Sequence, residues 1–149
     1  MAFDQPSLKG RALRLLGQRE HSRAELERKL RQHETEPGEL ARALDDLQAK
    51  GFINEQRVLE SVVFRRAPRL GAMRVRQELQ AKGLAPEAIA HAVAELQGSE
   101  VERAREVWRK KFQAPAEDAQ GRAKQMRFLA ARGFGAEAIR RVVKGGEED

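Results

Sequence analysis

The side chains best suited to metal or acid–base chemistry in this 149-residue chain are three histidines, His21, His33 and His91. Metal sites place their ligands at short, characteristic spacings such as HExxH, and none of the three histidines has a second ligand at such a spacing. The chain has no cysteine, which excludes thiolate nucleophiles, disulfides and cysteine-based zinc sites. No paired-carboxylate or nucleophile–base pattern is present. The sequence therefore predicts a protein that is not an enzyme and that binds neither a metal nor a cofactor.

Two further motifs have structural interpretations. Gly133-Phe134-Gly135 is similar to part of a nucleotide-binding loop, but no strand precedes it and no Lys-Ser/Thr pair follows it. Its repeat equivalent, Gly83-Leu84-Ala85, indicates a turn instead. Trp108 and Phe112 could stack on nucleobases. Because they continue a helical apolar stripe, we expect them in the core.

The basic residues are the most informative side chains. The formal net charge is +6, which favours polyanionic partners. Residues 61–77 and 119–136 contain arginines and lysines but no acid, whereas an ordinary solvated face intersperses the two signs. We therefore predict a basic strip that contacts a polyanion. Its members are Arg65, Arg66, Arg69, Arg74, Arg76, Lys82, Arg122, Lys124, Arg127 and Arg132.

An internal repeat must position these residues. Matching the turns of three segments gives two sets of apolar positions, each with spacings of 49 and 50 residues, and the periodicity within each segment is helical. The two sets are Leu30, Leu79 and Leu129, and Leu40, Ile89 and Ile139. The predicted fold is all-α, an elongated, curved array of three tandem three-helix, helix-turn-helix-like repeats. The predicted divisions are an N-terminal tail (1–7), repeats 1 to 3 (8–50, 51–98 and 99–145) and a disordered acidic tail (146–149).

Local signals predict where the helices begin and end. Ser22 and Glu25 form a capping box at the start of the second helix of repeat 1. Gly83 and Gly133 are expected to end second helices in the left-handed conformation. Pro86 fits the first turn of a third helix, and Pro37 is expected to do the same in repeat 1. In the first helix of repeat 1, Leu13 and Leu16 are expected to face the core.

Four segments of the chain have a recognisable order: ALRLLGQREHSRAELERKL, LQAKGFINEQRV, RVRQELQAKGL and RFLAARGFGAEAIRRVV. Together they resemble the RecX family, bacterial regulators of the recombinase RecA, and the resemblance covers nearly the whole chain. The chain departs from the family at Asn54-Glu55 and Val58-Leu59, where members often carry an acidic pair and an aromatic. It also departs at residues 69–72, where members often have a longer basic stretch.

The resemblance implies a function in recombination control, DNA repair and the SOS response. It implies a monomer that lies in the helical groove of the RecA filament on single-stranded DNA, with possible direct contact to that strand. Bound there, the protein would limit filament growth, ATP hydrolysis and strand exchange by RecA. The basic strip would supply the contacts. The N-terminus lacks an apolar signal region, and no segment approaches the about 18 apolar residues of a membrane span, so a cytoplasmic protein without membrane contact is expected.

Two alternatives remain at the level of sequence. The second and third helices of each repeat could form a DNA-reading helix-turn-helix, in which the third helix contacts bases with its N-terminal residues. Those ends carry Glu39, Glu87 and Glu137, which would repel the DNA phosphates. A helical RNA-binding module would use the same basic strip.

Overall fold

A computed structural model describes residues 5–144, and within that range helices joined by loops and turns are the only regular secondary structure. The predicted acidic tail and the first four residues of the N-terminal tail lie outside the described residues. The helices are α1 (Leu8–Gln18), α2 (Arg23–Leu30), α3 (Glu39–Ala49), α4 (Glu55–Arg66), α5 (Ala72–Ala81), α6 (Pro86–Gly98), α7 (Glu100–Phe112), α8 (Ala119–Ala131) and α9 (Ala136–Val143), with a 3-10 turn at Arg31–His33. The prediction of three tandem three-helix repeats is confirmed.

The chain forms two compact units. The first unit contains the described residues up to Ser61 together with Lys82–Leu84. Its core is formed by α1, α2 and α3, whose apolar side chains recur at helical spacing and are removed from water together. The buried residues of this core are Leu8, Ala12, Leu26, Leu30, Leu40, Leu44, Leu47 and Ile53.

The second unit contains Val62–Ala81 and the described residues from Ala85 onward. One of its cores is formed by α7, α8 and α9 around Trp108 and Leu129, and Phe112 and Phe128 pack against it. The Nε1–H group of Trp108 donates a hydrogen bond of 2.9 Å to Oε1 of the buried Gln125. The expected core position of Trp108 is confirmed, and its one polar group is satisfied inside the core.

Most of the predicted helix ends are confirmed. Ser22 and Glu25 form both hydrogen bonds of the capping box, and Gly83 and Gly133 have φ values of 73° and 91°. Pro86 is the first residue of α6. The expectation for Pro37 is wrong, because α3 begins at Glu39 after Gly38, which takes a left-handed conformation with φ 87°.

The expectation for Leu13 is also wrong. Leu13 is 36% exposed, and α1 instead buries Leu8 and Ala12 while Leu15 and Leu16 pack against the core. The apolar stripe of α1 is therefore rotated away from Leu13. Among the described residues, no helix is long and apolar enough to span a membrane.

Candidate polyanion-binding surface

The start of α2 contacts the turn that follows α5, and we call this contact within the first unit the first junction (residues 20–25 with 82–84). A Cβ atom on Gly83 would lie 2.8 Å from the Cβ atom of Ala24. Lys82 Nζ lies 3.1 Å from Oε2 of Glu25, and Arg19 Nη2 lies 2.9 Å from the same oxygen. Burial opposes ionisation of Glu25, but hydrogen bonds from Arg19, the Ser22 amide and Lys82 outweigh it and lower the pKa of Glu25 to about 2.

Two other acidic side chains at or beside the first junction, Glu20 and Glu55, also accept hydrogen bonds. Glu20 Oε2 accepts a hydrogen bond of 2.8 Å from Nε of Arg57. Glu55, the first residue of α4, accepts one of 3.2 Å from the backbone N–H of Arg23 at the start of α2. The first junction is thus electrostatically self-contained. Each of its charged side chains pairs with one of opposite sign, namely Glu20, Arg23, Glu25 and Lys82, and the nearby Glu55 is satisfied by a backbone N–H group.

The second unit contains an equivalent contact one sequence repeat further along the chain. We call it the second junction (residues 69–74 with 132–134). The backbone N–H groups of Gly71 and Met73 donate to the carbonyl oxygens of Arg132 and Gly133 at 2.8 and 3.2 Å. A Cβ atom on Gly71 would lie 2.3 Å from the backbone carbonyl of Gly133, so only glycine permits this approach. Glu100, the first residue of α7, accepts from the N–H of Ala72 at 3.0 Å, as Glu55 accepts from Arg23.

The two junctions share this backbone arrangement but carry different charges. Arg69 and Arg74 lie 49 residues after Glu20 and Glu25, so the second junction has cations where the first has acids. Arg132 lies 50 residues after Lys82 and keeps the positive charge. In place of an ion pair, Nη1 of Arg74 donates to the carbonyl oxygen of Ala131 at 2.7 Å. The second junction therefore presents an excess of positive charge.

A cavity of about 270 Å³ opens beside the second junction. Its lining comes from the loop after α4, from α7 and from α8, and consists of Pro68, Arg69, Val107, Lys110, Lys111, Phe128 and Arg132. None of the four cations among them forms an ion pair with a carboxylate of residues 5–144. The cavity is thus a cationic site with an apolar floor, suited to an anionic group.

Phe128 holds two of these cations in place. Arg132 Cζ lies 4.6 Å from the centre of the Phe128 ring, and Lys111 Nζ lies 5.6 Å from it. Phe112 contacts the same ring edge-to-face with a centroid distance of 5.3 Å. Because the ring attracts cations through its quadrupole without neutralising them, Arg132 and Lys111 are positioned but keep their charge for a ligand.

Arg103 positions the loop that carries Arg69. Its guanidinium group donates to the carbonyl oxygens of Ala67 and Leu70 at 2.8 and 2.7 Å, and to that of Leu96 at 2.8 Å. It also lies 3.2 Å from Glu100 Oε1, and the two side chains are 14% and 10% exposed. The loop that carries the exposed Arg69 is therefore held by three hydrogen bonds from a half-buried arginine, two of them to its own carbonyl oxygens.

The structure divides the basic strip into two groups. Four members have partners within the protein: Arg66 with Glu78, Arg74 with Ala131, Lys82 with Glu25 and Arg132 with Phe128. The other six are exposed, and their side chains form no ion pair, hydrogen bond or cation–π contact with residues 5–144: Arg65, Arg69, Arg76, Arg122, Lys124 and Arg127. A function in binding stays a prediction for all ten.

Sequence reasoning missed Lys110 and Lys111. The available signal was the run Arg109-Lys110-Lys111 at the end of α7, which was hidden because Glu100, Glu102 and Glu106 precede it on the same helix. Arg103 and Glu100 were missed as well, since an i,i+3 pair on a helix is ordinarily a solvated surface pair.

The histidines and acids form no metal site in the part of the chain that the structure describes, where no group of three or more candidate ligands occurs. His21 is buried, its Nδ1 lies 3.0 Å from the carbonyl oxygen of Arg19, and Lys29 Nζ lies 3.4 Å from its Nε2. Burial lowers the pKa of His21, so His21 is a neutral structural residue at neutral pH.

Comparison with known proteins identifies the repeats. Family models for the first, second and third three-helix domains of RecX match residues 9–47, 54–93 and 99–143, in that order. The chain belongs to the RecX family. The resemblance inferred from the four sequence segments is thereby confirmed, and the second junction with its cavity lies among the matched RecX domains.

Curated relatives and solved structures agree with the assignment to the RecX family. The chain is 51% identical over 146 residues to the regulatory protein RecX of Leptothrix cholodnii, covering 97% of this chain and 93% of the relative. It is 48% identical to that of Herminiimonas arsenicoxydans, covering 100% and 99%. A crystal structure of RecX from Lactobacillus salivarius superposes with a TM-score of 0.73 at 20% identity, covering 92% of both chains. A crystal structure of another regulatory protein RecX gives 0.74 at 19% identity, covering 92% of this chain and 71% of that chain.

Proposed function

We propose that this RecX-family protein binds RecA assembled on single-stranded DNA, in the helical groove of that filament. There it inhibits the RecA ATPase, filament extension and strand exchange. It acts in the cytoplasm as a monomer, without a cofactor and without chemistry of its own. The relatives that support the proposal are named regulatory proteins.

The observation that carries the proposal is the set of exposed strip cations without acidic partners. Arg76 on α5 and Lys124 and Arg127 on α8 are exposed and form no ion pair within residues 5–144. Unpaired guanidinium groups can make bidentate hydrogen bonds to the carboxylates of a protein or to DNA phosphates. A nucleoprotein filament offers both kinds of anion along one groove, so such a surface suits it.

The placement of acids disfavours sequence-specific DNA binding through α3, α6 and α9. Glu39 lies at the first position of α3, and Glu87 is exposed in the first turn of α6. Glu137 in the first turn of α9 pairs with Arg140 and Arg141. These ends would face base edges and flanking phosphates in a helix-turn-helix complex, where carboxylates are repelled.

The test mixes the protein, at substoichiometric amounts, with RecA already assembled on single-stranded DNA. ATP hydrolysis and filament length are followed. The wild-type protein is expected to lower both, and no change in either would contradict the proposal. Tight binding to one preferred duplex sequence would instead support the helix-turn-helix alternative, and preference for RNA would support an RNA-binding module.

A further inference from the structure

The comparison between the two junctions indicates that the second one is built to receive an anion. The first junction supplies its own carboxylate, since Glu25 lies between Arg19 and Lys82. The second junction keeps the backbone contacts and the cation at Arg132 but has Arg74 in the place of Glu25. Because uncompensated cations close together repel each other, this exchange costs stability unless an external anion binds.

The cavity beside Arg132 favours a phosphate group as that anion. Its cations are two arginines and two lysines from three separate segments. Lysine ammonium groups act as point charges toward phosphate, and an arginine adds a directional fork. The volume of about 270 Å³ lies just below the range of about 300 to 1,000 Å³ found for sites that bind whole small ligands. A single phosphate group fits within it.

The exposed side chain of Phe64 favours single-stranded nucleic acid as the polymer. It is 83% exposed, the largest value among the exposed large apolar side chains of residues 5–144. It lies in the last turn of α4 and precedes Pro68, which lines the cavity, by four residues. Four residues of chain span at most about 14 Å, so a strand of a few nucleotides can contact both the exposed ring and the cavity. A ring beside cations is the arrangement that binds an unpaired base and its phosphate.

We propose that the cavity binds a backbone phosphate of single-stranded nucleic acid and that Phe64 stacks on a neighbouring base. This site makes direct contact with the strand, through a residue set that extends beyond the basic strip to Phe64, Lys110 and Lys111. It deepens the proposed function and rests on it only for the identity of the strand as the DNA within the filament. Acidic side chains of a protein partner are the competing occupant.

The test uses the full-length protein and a fluorescein-labelled oligothymidylate without RecA, with anisotropy measured over a series of salt concentrations. The pair Arg69→Gln and Lys111→Gln removes two cavity cations. Its matched control, Arg14→Gln with Arg31→Gln, removes two exposed cations of the first unit that form no ion pair within residues 5–144. Circular dichroism and the emission of Trp108, the single tryptophan, report whether each variant is folded.

The cavity pair is expected to weaken oligonucleotide binding by roughly tenfold or more and to reduce the slope of log affinity against log salt by about 0.7, the contribution of the one phosphate contact that the cavity makes on a single strand. Phe64→Ala is expected to weaken binding roughly tenfold through lost stacking, with little change in the salt slope. The control pair should change neither quantity appreciably. An equal loss in the control pair would show unspecific charge attraction and overturn the proposal.

Two further outcomes separate this inference from the proposed function. Inhibition of RecA by a wild-type protein that does not bind the oligonucleotide would overturn the phosphate site alone. Oligonucleotide binding that follows these expectations, without any effect on RecA, would support the site and overturn the proposed function.

A third outcome concerns the occupant of the cavity. If the cavity pair lost filament binding but kept oligonucleotide binding, the occupant would be an acidic protein surface, and the nucleic-acid site would be wrong.

Discussion

Glu25 and Lys82, which are 57 residues apart in the chain, form an ion pair of 3.1 Å at the first junction. Their side chains are 9% and 12% exposed. Removing one partner of such a buried pair leaves the other charge without compensation, which costs far more than a surface pair contributes.

We expect Glu25→Gln to lower the free energy of unfolding by about 3 kcal/mol, measured by urea denaturation at neutral pH. The matched control is Glu106→Gln, because Glu106 pairs with Arg109 at 3.0 Å while both side chains are more than half exposed. The control should change stability by less than about 1 kcal/mol. Equal effects of the two substitutions would show that the Glu25 pair is not structurally important.

The lowered pKa of Glu25 also predicts that the stability of the folded protein depends on pH. Its pKa is lowered to about 2 from 4.5, so the folded protein binds fewer protons at this site than the unfolded chain does. Its contribution to stability is complete above pH 4.5 and is lost as the pH falls toward 2. We expect urea midpoints of the wild type to decrease across this window more steeply than those of Glu25→Gln. Parallel curves would contradict this assignment.

The lowered pKa of His21 predicts a second pH dependence of stability, in a higher pH range than that of Glu25. Burial lowers its pKa below 6.5, and a proton added at Nε2 would face Lys29 Nζ at 3.4 Å. The neutral form is therefore favoured in the folded state, and stability should fall as the pH decreases below 6.5. We expect His21→Gln to flatten the urea midpoints between about pH 7 and pH 5. The idea fails if the wild-type slope in this range persists in the variant.

Gly133 tests the close packing of the second junction. It has φ 91°, and a Cβ atom there would lie 2.3 Å from Cγ of Arg74. Gly51 is the matched control, since its φ is 85° and a Cβ atom there would meet nothing within 4 Å. We expect Gly51→Ala to cost about 1 kcal/mol for the left-handed backbone alone. Gly133→Ala should cost about 3 kcal/mol, since steric overlap is added. Thermal and urea denaturation would measure both, and equal costs would argue against a packed junction.

The proposed binding to the filament is expected to depend on the exposed cations of the basic strip. Arg76 and Arg127 lie in the second unit and form no ion pair within residues 5–144, whereas Arg74 holds the carbonyl oxygen of Ala131. We therefore expect Arg76→Glu with Arg127→Glu to raise the concentration needed to inhibit the RecA ATPase by roughly tenfold or more without loss of helical circular dichroism.

The matched control for this pair is Arg14→Glu with Arg31→Glu, which gives the same change in net charge on the first unit. Inhibition by the control should stay near the wild-type level. If both pairs weakened inhibition equally, the overall charge and not the position of the strip would govern binding.

The sequence by itself determined the helices, most of their ends and the threefold repeat. Apolar periodicity, the Ser22–Glu25 capping box and the glycines at 83 and 133 act over a few residues, so their effects can be derived without knowledge of distant contacts. Pro37 and Leu13 mark the limit of such reasoning. The start of α3 depends on the turn at Gly38, which places Pro37 before the helix. The exposure of Leu13 depends on which face of α1 packs against α3.

Only the tertiary structure decided which charges remain available for a partner. Arg74 and Lys82 could not be told from Arg76 or Lys111 by sequence, because each contacts a partner that lies 57 residues away in the chain. The cavity likewise joins Arg69, Lys111 and Arg132 from three separate segments. Charge is a local property of sequence, but its neutralisation depends on three-dimensional proximity, and that difference separates the structural cations from the candidate binding site.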